Sequence, residues 1–222
     1  MASLSQRQTN LGTTQRAMDK NARNDLPLGA EDNASMNAVL DEALVNDISE
    51  VLFSQPQIEE RVAALGAQIS QDYAGKEPLL VGVLRGVFIF MADLVRQITI
   101  PIEVDFISIS RYGPSRRTQG VVRFTKDLET SIQGRHVLFV EDVIDTGLSL
   151  RYILRSLQTR EPASLRVCTL FNKPRTRLFE LNPAYTGFDL PDRFVVGYGL
   201  DFADRFRTLP FIGALKRRVY EK

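Results

Sequence analysis

VLFVEDVIDTGLSL, residues 137–150, joins an apolar run of strand length to two adjacent carboxylates, Glu141 and Asp142, and then to Asp145-Thr146-Gly147-Leu148-Ser149 and a helical stretch. A buried strand that ends in acids is costly unless something pairs with the charge. The turn supplies the other half of a site. Backbone N–H groups at the start of the new helix, with the hydroxyls of Thr146 and Ser149, make a cradle for a phosphate, and Gly147 lets the backbone approach it closely. A phosphate cradle beside two carboxylates suits a ribose phosphate, whose ring hydroxyls donate to Glu141 and Asp142. The same residues admit a plainer reading, in which Asp145 caps the helix and the other acids are solvated.

Outward from this stretch the pattern alternates. Apolar runs at 79–84, 102–109, 136–140, 164–171 and 193–198 have strand length, and helical stretches at 87–98 and 147–160 separate some of them. Before them, IEERVAALGAQISQDYAG sets Ile58, Val62, Leu65 and Ile69 at helical intervals and stops at Gly75. Such alternation predicts an α/β domain with a mainly parallel twisted sheet flanked by helices, and ligands of such sheets bind outside the carboxyl ends of the strands. The acidic strand end is therefore at the expected place for a site. Residues 1–35 are polar and without apolar period, which predicts a disordered or processed extension. Residues 36–57 are expected to form a peripheral acidic helical segment, because MNAVLDEALVNDISEVLF has partly helical spacing and every charged residue from Asp25 to Glu60 is acidic. Residues 58–222 are expected to form the working domain.

The totals exclude several classes. A formal net charge of +1 gives no basis for a nucleic-acid or membrane binder. The single cysteine, Cys168, rules out an internal disulfide framework and is expected in the core. One histidine, His136, leaves no material for a histidine-based triad or a zinc cluster, and the P-loop and dinucleotide fingerprints are both missing. No apolar run reaches spanning length. Residues 1–18 carry Arg7 and Arg16 without an acid, as organelle transit peptides do, but Asp19 and the later acids dilute that signal, so a cytoplasmic location is expected.

The stretch at 137–150 resembles the phosphoribosyl diphosphate motif of the type I phosphoribosyltransferases, and other stretches are similar to the hypoxanthine-guanine branch of that family. The resemblance covers about Ile58 to Leu215 and implies the family's fold, with a small hood and a mobile active-site loop. LLVGVLRGVFIFMADLVRQI is similar to the loop that faces diphosphate, implying that role for Arg85 and Gly86, although the family usually has Lys at Arg85. VDFISISRYGPSRRTQGVVR resembles the lid. Tyr112 matches, while Arg111 replaces the usual serine. VCTLFNKPRTR is similar to the turn carrying the base-reading lysine, here Lys173, whose ammonium can only donate and so suits a 6-oxo group over a 6-amino group. DRFVVGYGLDFADRFRTLPFIGAL resembles the C-terminal signature. It implies Phe194 stacked on the purine, Val195 at its edge, Asp201 on Mg2+ with Glu141 and Asp142 as further ligand candidates, and Arg207 on diphosphate. The resemblance also implies phosphoribosyl transfer from 5-phosphoribosyl 1-diphosphate to a 6-oxopurine, with Asp145 exchanging the base proton, in a homodimer or homotetramer. Rival readings are another base, such as xanthine or uracil, and a regulator that senses the sugar diphosphate and binds nucleic acid or a partner protein.

Overall fold

The computed structural model describes residues 42–112 and 121–221. In chain order these form α1 (Glu42–Val45), β1 (Ile48–Phe53), α2 (Gln55–Asp72), β2 (Leu79–Leu84), α3 (Phe88–Gln97), β3 (Glu103–Tyr112), β4 (Val121–Lys126), β5 (His136–Ile144), α4 (Leu148–Gln158), β6 (Ser164–Asn172), β7 (Tyr185–Asp189), β8 (Val195–Val196), β9 (Ile212–Leu215) and α5 (Arg217–Tyr220). Residues 1–35, and residues 113–120 of the stretch expected to form the lid, lie outside the described residues.

The central strands are apolar at successive positions because both of their faces are covered. In β2 and β5, Leu80, Leu138 and Val140 point into a core shared with Ile58, Val62, Leu65 and Ile69 of α2 and with Phe90, Met91 and Leu94 of α3. Their neighbours Leu79, Val81, Val137 and Phe139 point the other way, against Leu150, Ile153 and Leu157 of α4. Period two along the strand thus fills two layers. The sheet order is β4-β3-β2-β5-β6-β7. Only β4 runs antiparallel, against β3. Cys168 is fully buried in the first layer, as expected. His136 meets Ser164 at 2.8 Å across the β5–β6 pair, a structural contact.

A second sheet of three strands, in the order β1-β9-β8, forms the hood. It changes the reading of residues 36–57. Among those described, Glu42–Val45 is helical and Gln55–Gln57 already belong to α2, but Ile48–Phe53 between them is a strand antiparallel to β9. Leu52 and Phe53 pack on the first core layer, while Ser49 and Glu50 are exposed, so the amphipathic pattern serves an edge of a sheet. The run at 193–198 is likewise shorter than expected, with only Val195 and Val196 paired to β9. Helix α2 matches its sequence signature. The Ser54 backbone N–H donates to the Gln57 side chain at 2.8 Å, and the helix stops at Asp72, short of Gly75. No helix among the described residues is long and apolar enough to cross a membrane.

Candidate active site

Strand β5 carries its acids past the end of the buried run. Four consecutive buried residues, Val137–Val140, precede Glu141 and Asp142, which still belong to the strand. Beyond Ile144 the chain turns through Gly147, whose φ of +77° only glycine adopts freely, and enters α4. A Cβ at Gly147 would also stand 2.9 Å from Cζ of Phe179, so a side chain there would have to displace that ring. The N-cap position of α4 is taken by Gly147, two residues beyond Asp145, so Asp145 is not the N-cap residue, and the helix has no side-chain N-cap hydrogen bond. Asp145 is instead exposed, 4.0 Å from the Lys173 ammonium. With its first amides uncapped and Gly147 before them, the N-terminus of α4 keeps the character of an anion cradle.

A cleft of about 380 Å3 opens beside this turn, at the carboxyl ends of β2, β5 and β6. It brings together Arg85, Gly86, Asp142, Asp145, Lys173, Phe194, Val195, Asp201 and Arg207. Glu141, Thr146, Gly147, Leu148 and Ser149 are not among its lining residues, and they sit in the strand end and turn next to it. Arg111 and Tyr112 are the last two residues of β3.

One wall of the cleft is the turn from β2 into α3. The Leu84–Arg85 peptide bond is cis, and Gly86 follows it against Asp142. A Cβ on Gly86 would overlap the Asp142 carboxylate oxygen Oδ2, and one on Gly199 would overlap the Gly86 carbonyl. Three segments distant in sequence therefore touch through residues that have no side chain to interpose. Asp142 is half-buried, with part of its surface on the cleft and a dense shell of protein around its carboxyl. That burial pushes its pKa up to about 6, with the Asp201 charge adding to the rise, while the Val143 amide and the Arg207 guanidinium oppose it. The Val143 amide donates to Asp142 Oδ1 at 2.7 Å.

The C-terminal segment supplies the opposite wall. Arg207 forms an ion pair with Asp201 at 2.6 Å and donates to the Gly199 carbonyl at 2.7 Å. Arg85 reaches across to Asp204 at 3.1 Å, a contact between two exposed groups that adds little to stability. Both arginines thus already face carboxylates on the loop 201–207, and their cationic charge lies over the cleft. Lys173 is buried apart from its access to the cleft, and its ammonium donates to the Arg193 carbonyl at 2.8 Å. The Arg193 guanidinium is tied in turn to Glu50 and Ser49 of β1. Val143, Arg193, Gly199, Leu200 and Asp204 are the site's contributors that sequence reading missed. Of these, Gly199 alone has a readable signature, as the second glycine of VGYGLD, where Gly197 and Gly199 both have positive φ.

Against this geometry, a family model for the phosphoribosyl transferase domain matches residues 49–203. The chain belongs to the phosphoribosyltransferase family. Within it, this phosphoribosyltransferase is 50% identical over 182 residues to the hypoxanthine-guanine phosphoribosyltransferase of Mycobacterium avium, a match spanning 79% of this chain and 90% of the relative. It is 45% identical over 176 residues to the Bacillus subtilis hypoxanthine-guanine phosphoribosyltransferase, spanning 79% of this chain and 98% of the relative. The structure of a hypoxanthine phosphoribosyltransferase from Staphylococcus aureus matches with a TM-score of 0.79 at 40% identity, over 82% of this chain and all of that one. A ternary substrates complex of a variant hypoxanthine phosphoribosyltransferase from Trypanosoma cruzi matches with a TM-score of 0.75 at 37% identity, over 79% of this chain and 99% of that one. The phosphoribosyltransferase is therefore an enzyme of the hypoxanthine-guanine branch with the type I fold that the sequence indicated.

Proposed function

We propose that the chain salvages purines by transferring the phosphoribosyl group of 5-phosphoribosyl 1-diphosphate to N9 of hypoxanthine or guanine, giving IMP or GMP and diphosphate. The observation that carries this reading is one cleft lined by a buried, donor-only lysine, an aromatic ring, two arginines and the carboxylates Asp142, Asp145 and Asp201. A donor-only ammonium favours a 6-oxo acceptor and leaves a 6-amino group facing another donor, which penalises adenine.

In this reading Phe194 and Val195 take the flat base, and Lys173 donates to O6. The uncapped start of α4, with Thr146, Gly147, Leu148 and Ser149, holds the 5-phosphate, and Glu141 and Asp142 accept from the ribose hydroxyls. Arg85, Gly86 and Arg207 face the diphosphate. The bond from C1′ to the diphosphate oxygen breaks, its electron pair leaves with diphosphate, and the bond from C1′ to N9 forms. The purine loses one proton, which Asp145 receives from its place between the cradle and Lys173. Positive charge on the ribose ring is favoured by the neighbouring carboxylates, and negative charge on the leaving group by the two arginines.

Among the described residues no three His, Cys, Asp or Glu side chains form a metal cage. Magnesium does not require one, since it keeps waters and takes substrate phosphate oxygens with one or two carboxylates. Asp201 borders the cleft, and its charge is close enough to act on Asp142, so the donor set fits. Asp201, with Glu141 and Asp142, would hold Mg2+, which when bound neutralises the diphosphate oxygens as they depart. We further propose a homodimer or homotetramer working in the cytoplasm, with neither nucleic acid nor membrane as a partner, in keeping with the family resemblance and the balanced charge.

Steady-state assays with hypoxanthine, guanine, xanthine and adenine, each with and without Mg2+, test the reading. Turnover of the first two that depends on Mg2+ is expected, and adenine should be inert. Faster turnover of xanthine would move the assignment to that base, and salt-dependent binding of RNA or DNA without any turnover would restore the regulator reading.

A further inference from the structure

Phe194 stands at the rim of the cleft, 37% exposed, with one of its faces already taken. Tyr220, in the short last helix α5, stacks on it with ring centroids 5.1 Å apart and planes 25° from parallel. Phe202 meets the same ring edge-on, at 5.4 Å and 87°. Neither Tyr220 nor Phe202 lines the cleft. The Tyr220 stack is therefore on the outer face of Phe194, and the inner face is left to the cleft.

Helix α5 is too short to hold itself, and contacts outside it fix its position. The Lys216 amide donates to the Asp47 carbonyl at 2.9 Å, the Lys216 ammonium to the Asn46 carbonyl at 2.6 Å, and the Arg218 guanidinium to the Asp47 carboxylate at 2.9 Å. On the Phe194 side, the Leu215 amide donates to the Phe194 carbonyl at 2.9 Å. Main-chain and side-chain contacts thus bind the C-terminal segment both to the turn before β1 and to the residue it backs.

We propose that Tyr220 is a positioning residue for the base, the outer layer of a three-ring stack whose middle layer is Phe194 and whose inner layer is the bound purine. This rests on the purine reading above. A lone, half-exposed phenylalanine must give up rotameric freedom when a flat ligand lands on it. With Tyr220 behind it, that ordering is complete beforehand, and the base meets a surface already set at the stacking angle. The stack acts on the base end of the cleft, because α5 is held by Phe194 and the turn before β1.

The test uses the full chain and compares Tyr220→Leu with Tyr220→Phe. The readouts are KM for guanine at saturating 5-phosphoribosyl 1-diphosphate, KM for that second substrate at saturating guanine, and GMP affinity by calorimetry. Removing the ring should raise KM for guanine and the Kd for GMP by about five- to tenfold, the size of an aromatic pair. KM for 5-phosphoribosyl 1-diphosphate should stay within about twofold, and Tyr220→Phe should restore all three values. Equal changes for both substrates, no change for guanine, or a Phe variant that behaves like Leu would overturn the proposal. If Tyr220→Leu fails to fold, Tyr220→Met fills the same space without a stacking face and carries the same comparison. An unaltered enzyme that turns over no 6-oxopurine overturns the purine reading and the proposal with it, whereas normal turnover without the split in KM overturns the stack alone.

Discussion

Replacing Asp142 with asparagine should make the ligand-free protein more stable at neutral pH while weakening its hold on substrate. Burial pushes this carboxyl up to about 6. A carboxyl whose folded-state pKa is raised favours folding in its protonated form. The contribution is fully present below the ordinary aspartate range and is lost as pH rises through about 6. The displacement is about two powers of ten in proton affinity, so the charged side chain costs the fold roughly 3 kcal/mol at pH 7 and less than ~1 kcal/mol at pH 4. Asparagine keeps the shape and the oxygen that accepts from the Val143 amide, and so isolates the charge. Urea unfolding of both proteins, followed by far-UV circular dichroism at pH 4, 5.5 and 7, measures the difference. The variant should gain about 3 kcal/mol over the parent at pH 7, shrinking towards nothing at pH 4. With 5-phosphoribosyl 1-diphosphate and Mg2+ present the order should reverse, because only the parent offers a second carboxylate oxygen to the ligand. A ligand-free difference that does not grow with pH, or a variant less stable than the parent at pH 7, would refute the buried-charge reasoning.

Gly86→Ala should lower kcat/KM by about a hundredfold or more and weaken diphosphate binding, since its methyl group overlaps the Asp142 carboxylate and either the turn or that carboxylate must shift. A kinetically silent alanine would show that the turn tolerates displacement. Asp145→Asn should reduce turnover of hypoxanthine by about a hundred- to ten-thousandfold, the usual worth of a positioned proton acceptor, with KM for 5-phosphoribosyl 1-diphosphate little changed. Near-normal turnover in that variant would remove Asp145 from the proton-transfer role.

The parts of the fold that were legible in sequence are those whose signals are local. β5 and β6 announce themselves because four or five successive residues are buried on alternating faces, and α2 because its apolar stripe and Gly75 mark both its packing and its end. β1 reads as helical because six residues, of which Ser49 and Glu50 are the polar pair, fit a helix edge as well as a sheet edge. The strand that resolves the choice, β9, lies 165 positions away, as the Ser49–Ala214 hydrogen bond shows. The acidic strand end was legible because charge at the end of an apolar run is anomalous in itself. What holds the site together was not, because backbone groups do much of the holding. Lys173 is set by the carbonyl of Arg193 and Arg207 by that of Gly199, and carbonyls leave no mark on a sequence.

Ile48 pairs with Leu215, so the first strand of the domain and the last are neighbours. On the ribosome this imposes an order of assembly. The six-stranded sheet can add strands as they emerge, but β1 precedes them and has no partner until β9, 165 positions later, has been synthesised. Closing so long a loop is slow relative to the local pairings, and the nascent chain must pass through a state with its sheet formed and its first strand bare. The N-terminal strand is then an open edge of the kind that recruits other chains. The lip of the cleft that Glu50 and Arg193 hold in place is thereby built after the six-stranded sheet, and a chain that loses β9 strands β1.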